Sequence, residues 1–233
     1  MCASPTEPPA SEPLPLAVLI SGFGSNLQAI LDDISARALP AKVAAVISDQ
    51  PEAYGLARAR DAGVPAICVE RPTYPNRREF EAALRVQIDQ AGAELIVLAG
   101  FMRVLSADFV AYYTHRIINI HPSLLPDYRG LDTHARALAD GALEHGATVH
   151  FVTPELDAGP IILQGRVFVR PDDTPETLAG RVHAQEHKIL PQAIRWIAQR
   201  RLTVVDGMVH LDGEPTLPPA LLKITAMKGG RQC

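Results

Sequence analysis

Residues 16–34 read LAVLISGFGSNLQAILDDI, and this stretch decides the fold. Leu16–Ser21 is a short apolar run without alternation, as suits a strand buried on both faces. Gly22-Phe23-Gly24-Ser25-Asn26 interrupts it. Leu27, Ile30, Leu31 and Ile34 then recur at helical spacing within Leu27–Ala38. In a strand–glycine loop–helix unit the backbone N–H groups point outward and the helix dipole favours an anion, so a phosphate is the natural guest. Gly22 and Gly24 permit left-handed turns, and Ser25 or Asn26 is expected to cap the helix. A tight turn with a capped helix is the competing reading. A dinucleotide fingerprint would need glycine at position 27, where Leu27 stands, which weakens Asp49 as a ribose-binding acid. No Gly-Lys-Ser/Thr follows, which excludes a P-loop.

The same rhythm continues outward. Strands are expected at Lys42–Ser48, Ala66–Val69 and Glu94–Leu98. Helices are expected at Glu52–Ala62, stopped by Gly63, and at Arg77–Ala91, where Phe80, Leu84 and Ile88 form an apolar stripe. Ser106 caps a short helix and a buried strand follows at Ile117–Ile120. Thr133–Ala139 reads as a helix, and Ala147–Val152 and Pro160–Val169 as strands. Thr174 and Pro175 open a long helix over 174–200. Asp206-Gly207 between Leu202–Val205 and Met208–Leu211 signals a type I′ hairpin. These elements predict one α/β domain over residues 16–213. Its sheet is mostly parallel and Rossmann-like, with helices on both faces, a long C-terminal helix and a small hairpin. Residues 1–15 hold five prolines and no apolar signal-peptide core, so a disordered leader is expected there. Residues 214–233 are expected to form a loose tail.

Among 233 residues, 47% are apolar and the formal net charge is −4. That composition supports a sizeable core and gives no long-range attraction to nucleic acid. No apolar run reaches membrane-spanning length. Cys2, Cys68 and Cys233 are too far apart for a disulfide framework or a metal motif, so no metal and a cytoplasmic setting are expected.

The chemistry concentrates at Arg116-Ile117-Ile118-Asn119-Ile120-His121-Pro122-Ser123-Leu124-Leu125-Pro126. Asn119 and His121 are two apart, so an extended backbone puts both on one face at the strand's carboxyl end, where open α/β sheets bind ligands. Asp157 lies in a loop with Pro154 and Gly159 after a later strand. A carboxylate beside an imidazole favours its protonated form and holds one tautomer. Such a histidine can donate to a developing oxyanion, with the Asn119 amide as a second donor. No Ser, Cys or Lys stands as an obvious nucleophile, so direct attack by a substrate amine or by water is the simpler chemistry. His134 and His150 flank this group. His115, His145 and His210 are read as surface or turn residues.

Five segments occur in order: Ser21-Gly22-x-Gly24-Ser25-Asn26; Leu98 to Arg103; Asn119-x-His121-Pro122-Ser123-Leu124-Leu125-Pro126; His150-Phe151-Val152 with Glu155-Leu156-Asp157-x-Gly159-Pro160; and Gln185-Glu186-His187. Together they resemble the phosphoribosylglycinamide formyltransferases, within the wider group of folate-dependent formyltransferases and hydrolases. The resemblance implies transfer of formyl from 10-formyltetrahydrofolate to the amine of glycinamide ribonucleotide in purine biosynthesis. It implies that Gly24, Ser25 and Asn26 cradle the phosphate and that Glu186 holds the ribose. It implies that Arg77, Met102, Arg103, Val104, Leu105 and Asn119 border the folate, with Arg78 an alternative to Arg77. It makes Asn119, His121 and Asp157 the catalytic group. The implied partners are these two small molecules, with no nucleic acid and no membrane, and a homodimer is allowed. Transfer to water or to methionyl-tRNA would use the same group; the short leader and tail are read as favouring the ribonucleotide. Phe23, Asp132, His183 and the Tyr128-Arg129-Gly130 turn depart from the family pattern.

Overall fold

The computed structural model describes residues 12–216. Residues 1–11 and 217–233, covering most of the expected leader and tail, lie outside that range. The elements run β1 Leu14–Ile20, α1 Ser25–Ser35, β2 Ala41–Ser48, α2 Tyr54–Asp61, β3 Ala66–Cys68, α3 Arg77–Gln90, β4 Leu95–Leu98, α4 Ala107–Tyr112 and β5 Ile117–His121. They continue with α5 Thr133–Ala139, β6 Glu144–Phe151, β7 Ile161–Phe168, α6 Pro175–Ala198, β8 Leu202–Val205, β9 Met208–Leu211 and β10 Glu214–Pro215. Seven strands form one sheet in the order β3-β2-β1-β4-β5-β6-β7, and β8–β10 form a second, three-stranded sheet. The pairings from β3 to β5 are parallel; β5–β6 and β6–β7 are antiparallel.

The two-residue period of β1 sorts its side chains onto two faces. Leu16, Val18 and Ile20 join the core built by α1, α2 and α6, including Leu27, Ile30, Leu56, Leu178, Val182 and Ile189. Ala17 and Leu19 join the opposite core with Phe80, Leu84 and Ile88 of α3 and Phe109 and Val110 of α4. Helices therefore cover both faces, as expected. Thr174 caps α6 with a full capping box and Pro175 in the first turn, and Asp206 and Gly207 take the positive φ of the expected hairpin turn.

Beyond shifts of one to three residues at element ends, four details differ from expectation. β1 begins at Leu14, so Leu14 and Pro15 belong to the sheet and not to the leader. Glu214 and Pro215 pair with Leu211 and His210, so the tail's first residues are a strand. The helix after the glycine loop starts at Ser25 with Gly24 as its N-cap, and no side chain caps it; neither Ser25 nor Asn26 does. An Arg71–Thr73 3₁₀ turn replaces part of the plain loop before α3.

Leu84 is fully buried on α3, whereas Val86 on the same helix is 49% exposed. Leu84→Ala should cost roughly 2–5 kcal/mol of unfolding free energy, because it removes contacts and leaves a cavity. Val86→Ala should stay within about 0.5 kcal/mol. Urea titration of the two variants checks this, and equal losses would contradict the assigned faces.

Candidate active site

Three adjacent parallel strands, β1, β4 and β5, end on the same edge of the sheet. That edge gathers the glycine loop, the 99–105 segment and the Asn119/His121 pair. Parallel strands must all present their carboxyl ends to one side, and this is where the site forms.

The glycine loop is fixed by close backbone packing. Gly24 sits at φ 74°, and a Cβ there would lie 2.8 Å from the Gly55 Cα. Only glycine meets both demands. Phe23 packs against Tyr54 with ring centroids 5.3 Å apart. The Arg58 guanidinium lies 4.5 Å from the Phe23 ring centre, and its Nε donates to the Phe23 carbonyl at 3.0 Å. The large apolar residue in the loop is thus a staple to α2. Asn26 is buried and its Nδ2 donates to Glu186 Oε2 at 2.8 Å, so the start of α1 is tied to the middle of α6. Glu186 is itself buried, which rules out an exposed helix carboxylate.

Asn119 and His121 share a face as the spacing predicted, and Asp157 reaches His121 and His150. β6 is antiparallel to β5 and ends beside Ile118, so the 152–160 loop must fold back. Gly159 allows this, because a Cβ there would fall 1.8 Å from the Phe151 carbonyl oxygen. Asp157, at φ 49°, places Oδ2 3.4 Å from His121 Nδ1 and accepts the Gly130 N–H on the same oxygen at 3.0 Å. His121 Nε2 lies 3.0 Å from the Tyr128 carbonyl. A carbonyl only accepts, so Nε2 carries a proton. With Nε2 committed to that carbonyl, Nδ1 is the ring nitrogen left to face Asp157 and a ligand.

His150, expected only to flank the group, is part of it. It stands opposite Asn119 across the β5–β6 pair. Its Nδ1 lies 2.9 Å from the Phe151 carbonyl, so Nδ1 carries the proton and Nε2 is bare. Nε2 then accepts from Asn119 Nδ2 at 3.2 Å, which leaves the second amide hydrogen of Asn119 for a ligand. Burial pushes the His150 pKa down, outweighing the Asp157 carboxylate that would raise it. The pairing could not be read from spacing, because it depends on the reversed direction of β6.

His145 also departs from its expected surface setting. It is buried, and its Nε2 lies 3.1 Å from His134 Nδ1. Burial, with the neighbouring imidazoles His134 and His121 adding, holds its pKa at about 4. Burial lowers His134 as well.

The residues expected to border the folate divide into two kinds. Met102 and Val104 are open, at 66% and 59% exposed, while Leu105 is buried. Arg103 is ion-paired to Asp49 at 2.6 Å. Arg77 donates to Glu81 Oε1 at 2.9 Å, and Glu81 also accepts the Ser106 amide at 2.7 Å, so Arg77 is held beside this segment. Among the described residues no group of three or more His, Cys, Asp and Glu side chains could hold a metal ion, and no helix is long and apolar enough to cross a membrane. Asp132 takes φ 56° at the N-cap of α5 without a side-chain bond, and His183 is exposed on α6.

The formyl transferase family matches residues 14–194. The chain is 47% identical over 204 residues to the phosphoribosylglycinamide formyltransferase of Escherichia coli, covering 88% of this chain and 96% of that one. Its structure is similar to that of the phosphoribosylglycinamide formyltransferase of Coxiella burnetii, with a TM-score of 0.86 and 51% identity over 90% of this chain and 99% of that chain. A formyltetrahydrofolate deformylase of Pseudomonas syringae is more distant, with a TM-score of 0.81 and 27% identity over 87% of this chain and 67% of that one.

The buried imidazoles make stability depend on pH. His145 titrates near 4 in the folded chain but near the ordinary value of about 6.5 when unfolded. Between those values the unfolded chain holds protons the native one refuses, so stability falls as pH drops below about 6.5. Urea midpoints measured at pH 7.5, 6 and 5 should decrease in that order, and a His145→Asn variant should show a shallower slope. A midpoint unchanged from pH 7.5 to 5 would contradict the buried, neutral cluster.

Proposed function

The chain belongs to the formyl transferase family, and from that premise we propose that it transfers the formyl group of 10-formyltetrahydrofolate to the amine of 5-phosphoribosylglycinamide, a step of purine biosynthesis. The observation that carries this reading is the meeting of Asn119, His121, Asp157 and His150, joined by Asp157 Oδ1 3.7 Å from His150 Nε2, on the sheet edge where the glycine loop also ends.

On this reading the backbone N–H groups of Gly24, Ser25 and Asn26 take the phosphate, and Glu186 takes the ribose hydroxyls beside Asn26. Met102, Arg103, Val104 and Leu105, with Arg77 and Asn119, border the folate. The exposed apolar side chains of Met102 and Val104 suit a flat ring. The amine attacks the formyl carbon and a C–N bond forms. Negative charge gathers on the formyl oxygen, where the free Asn119 amide hydrogen and the His121 Nδ1 proton converge. The bond to folate N10 then breaks, and the proton lost by the amine ends on N10. Asp157 orients His121 from beside Nδ1, and His150 holds Asn119. Fixing both substrates in one crevice supplies a large part of the rate. The partners are the two small molecules, with no metal and no nucleic acid. The compartment is the cytoplasm. No residue of a second copy is needed to complete the group, so the reading serves a monomer and a homodimer alike.

Folate deformylation followed by absorbance, with and without the ribonucleotide, tests the reading. Turnover should require the ribonucleotide; formate released equally without it would make the acceptor water. His121→Ala should lower kcat by about 10²–10⁴ and Asn119→Ala by about 10²–10³, with KM little changed because both act chiefly in the transition state. Losses confined to KM would contradict the assigned roles.

A further inference from the structure

Asp49 lies at the end of β2, outside the catalytic group, and is only 1% exposed. A buried carboxylate needs partners on both oxygens, and it has them. Ser21 Oγ donates to Oδ1 at 2.5 Å. Arg103 Nε donates to Oδ2 at 2.6 Å, and Gln50 Nε2 reaches the same oxygen at 3.2 Å. Ser21 Oγ in turn accepts the Met102 amide at 2.9 Å, and the Ser21 amide donates to the Gly100 carbonyl at 3.0 Å. One carboxylate therefore joins the ends of three neighbouring strands. Through Ser21 it reaches the root of the glycine loop, and through Arg103 and Met102 the segment that faces the folate.

We propose that Asp49 is a positioning residue for the formyl donor: it anchors the Arg103 guanidinium and locks the 100–105 segment at a set distance from the phosphate loop. This rests on the proposed function and adds what fixes the spacing of its two subsites. The ribose-binding role that Asp49 would have in a dinucleotide site is closed to it, because both oxygens are occupied within the protein. The two arms can be separated chemically. Asn at position 49 can still accept from Ser21 but turns an amide donor toward Arg103. Ala at position 21 keeps the ion pair but leaves the Met102 amide without its acceptor.

The test measures both KM values and kcat, together with calorimetric binding of tetrahydrofolate, which needs no turnover. Asp49→Asn should weaken folate binding and raise the KM for formyl folate by about tenfold, the loss of one charge-assisted bond. The ribonucleotide KM should stay within about twofold, because the Ser21 arm is kept. If Asp49 acts through Arg103, the double variant Asp49→Asn/Arg103→Gln should be no worse than Arg103→Gln alone. Unchanged folate affinity, equal rises in both KM values, or multiplicative effects in the double variant would each overturn the proposal. Should Asp49→Asn not fold, Ser21→Ala is read instead, and unchanged KM values for both substrates would overturn it. A wild-type protein that fails to formylate the ribonucleotide, yet loses folate affinity on Asp49→Asn, would remove the proposed function and leave this inference standing.

Discussion

The site depends on His150 remaining uncharged inside the sheet. Its Nδ1 proton is committed to the Phe151 carbonyl, so the bare Nε2 is the ring atom that accepts from Asn119. A second proton on that ring would turn the acceptor into a donor, and the amide would lose the contact that aims it. Burial supplies the constraint, because charging an imidazole there forfeits its hydration. The nearby Asp157 carboxylate works against it, but burial is the stronger cause. Asp157 gives Oδ2 to His121 and the Gly130 amide, while its Oδ1 lies 3.7 Å from His150 Nε2. Two histidines beside one carboxylate thus differ: His150 offers a bare Nε2 to Asn119, and His121 gives Nε2 to the Tyr128 carbonyl and turns Nδ1 to Asp157.

The sheet explains why the pieces meet. Parallel β1, β4 and β5 deliver the glycine loop, the 99–105 segment and the Asn119/His121 pair to a common edge. The antiparallel β6 brings His150 against Asn119 by register and sends its loop back with Asp157. Side-chain bonds then join the subsites: Asn26 to Glu186, Asp49 to Ser21 and Arg103, and Glu81 to Arg77 and Ser106. Each link is buried or partly buried, where an unmatched polar group would be costly.

Much of this was legible in the sequence where the signal is local. The strand–glycine loop–helix unit, the Thr174-Pro175 start of α6 and the Asp206-Gly207 turn each rest on a few adjacent residues. The Asn119/His121 face follows from the period of a strand. What was not legible depends on contacts distant in sequence. Gly24 serves as N-cap because α2 presents Gly55 against it, so the polar residues after it had no capping to do. Phe23 looked out of place until Tyr54 and Arg58 packed on it. His145 resembled a turn residue, and only the packing of α5 and Tyr128 beside it makes it a core histidine. His150 required the direction of β6, which no spacing encodes.

The most direct measurement is the tautomer and charge of His150, read from long-range ¹H–¹⁵N correlations of the imidazole nitrogens at neutral pH. The ring should be neutral, with the proton on Nδ1 and a bare Nε2. An imidazolium at that position, or a proton on Nε2, would contradict this, because neither form can accept from the Asn119 amide.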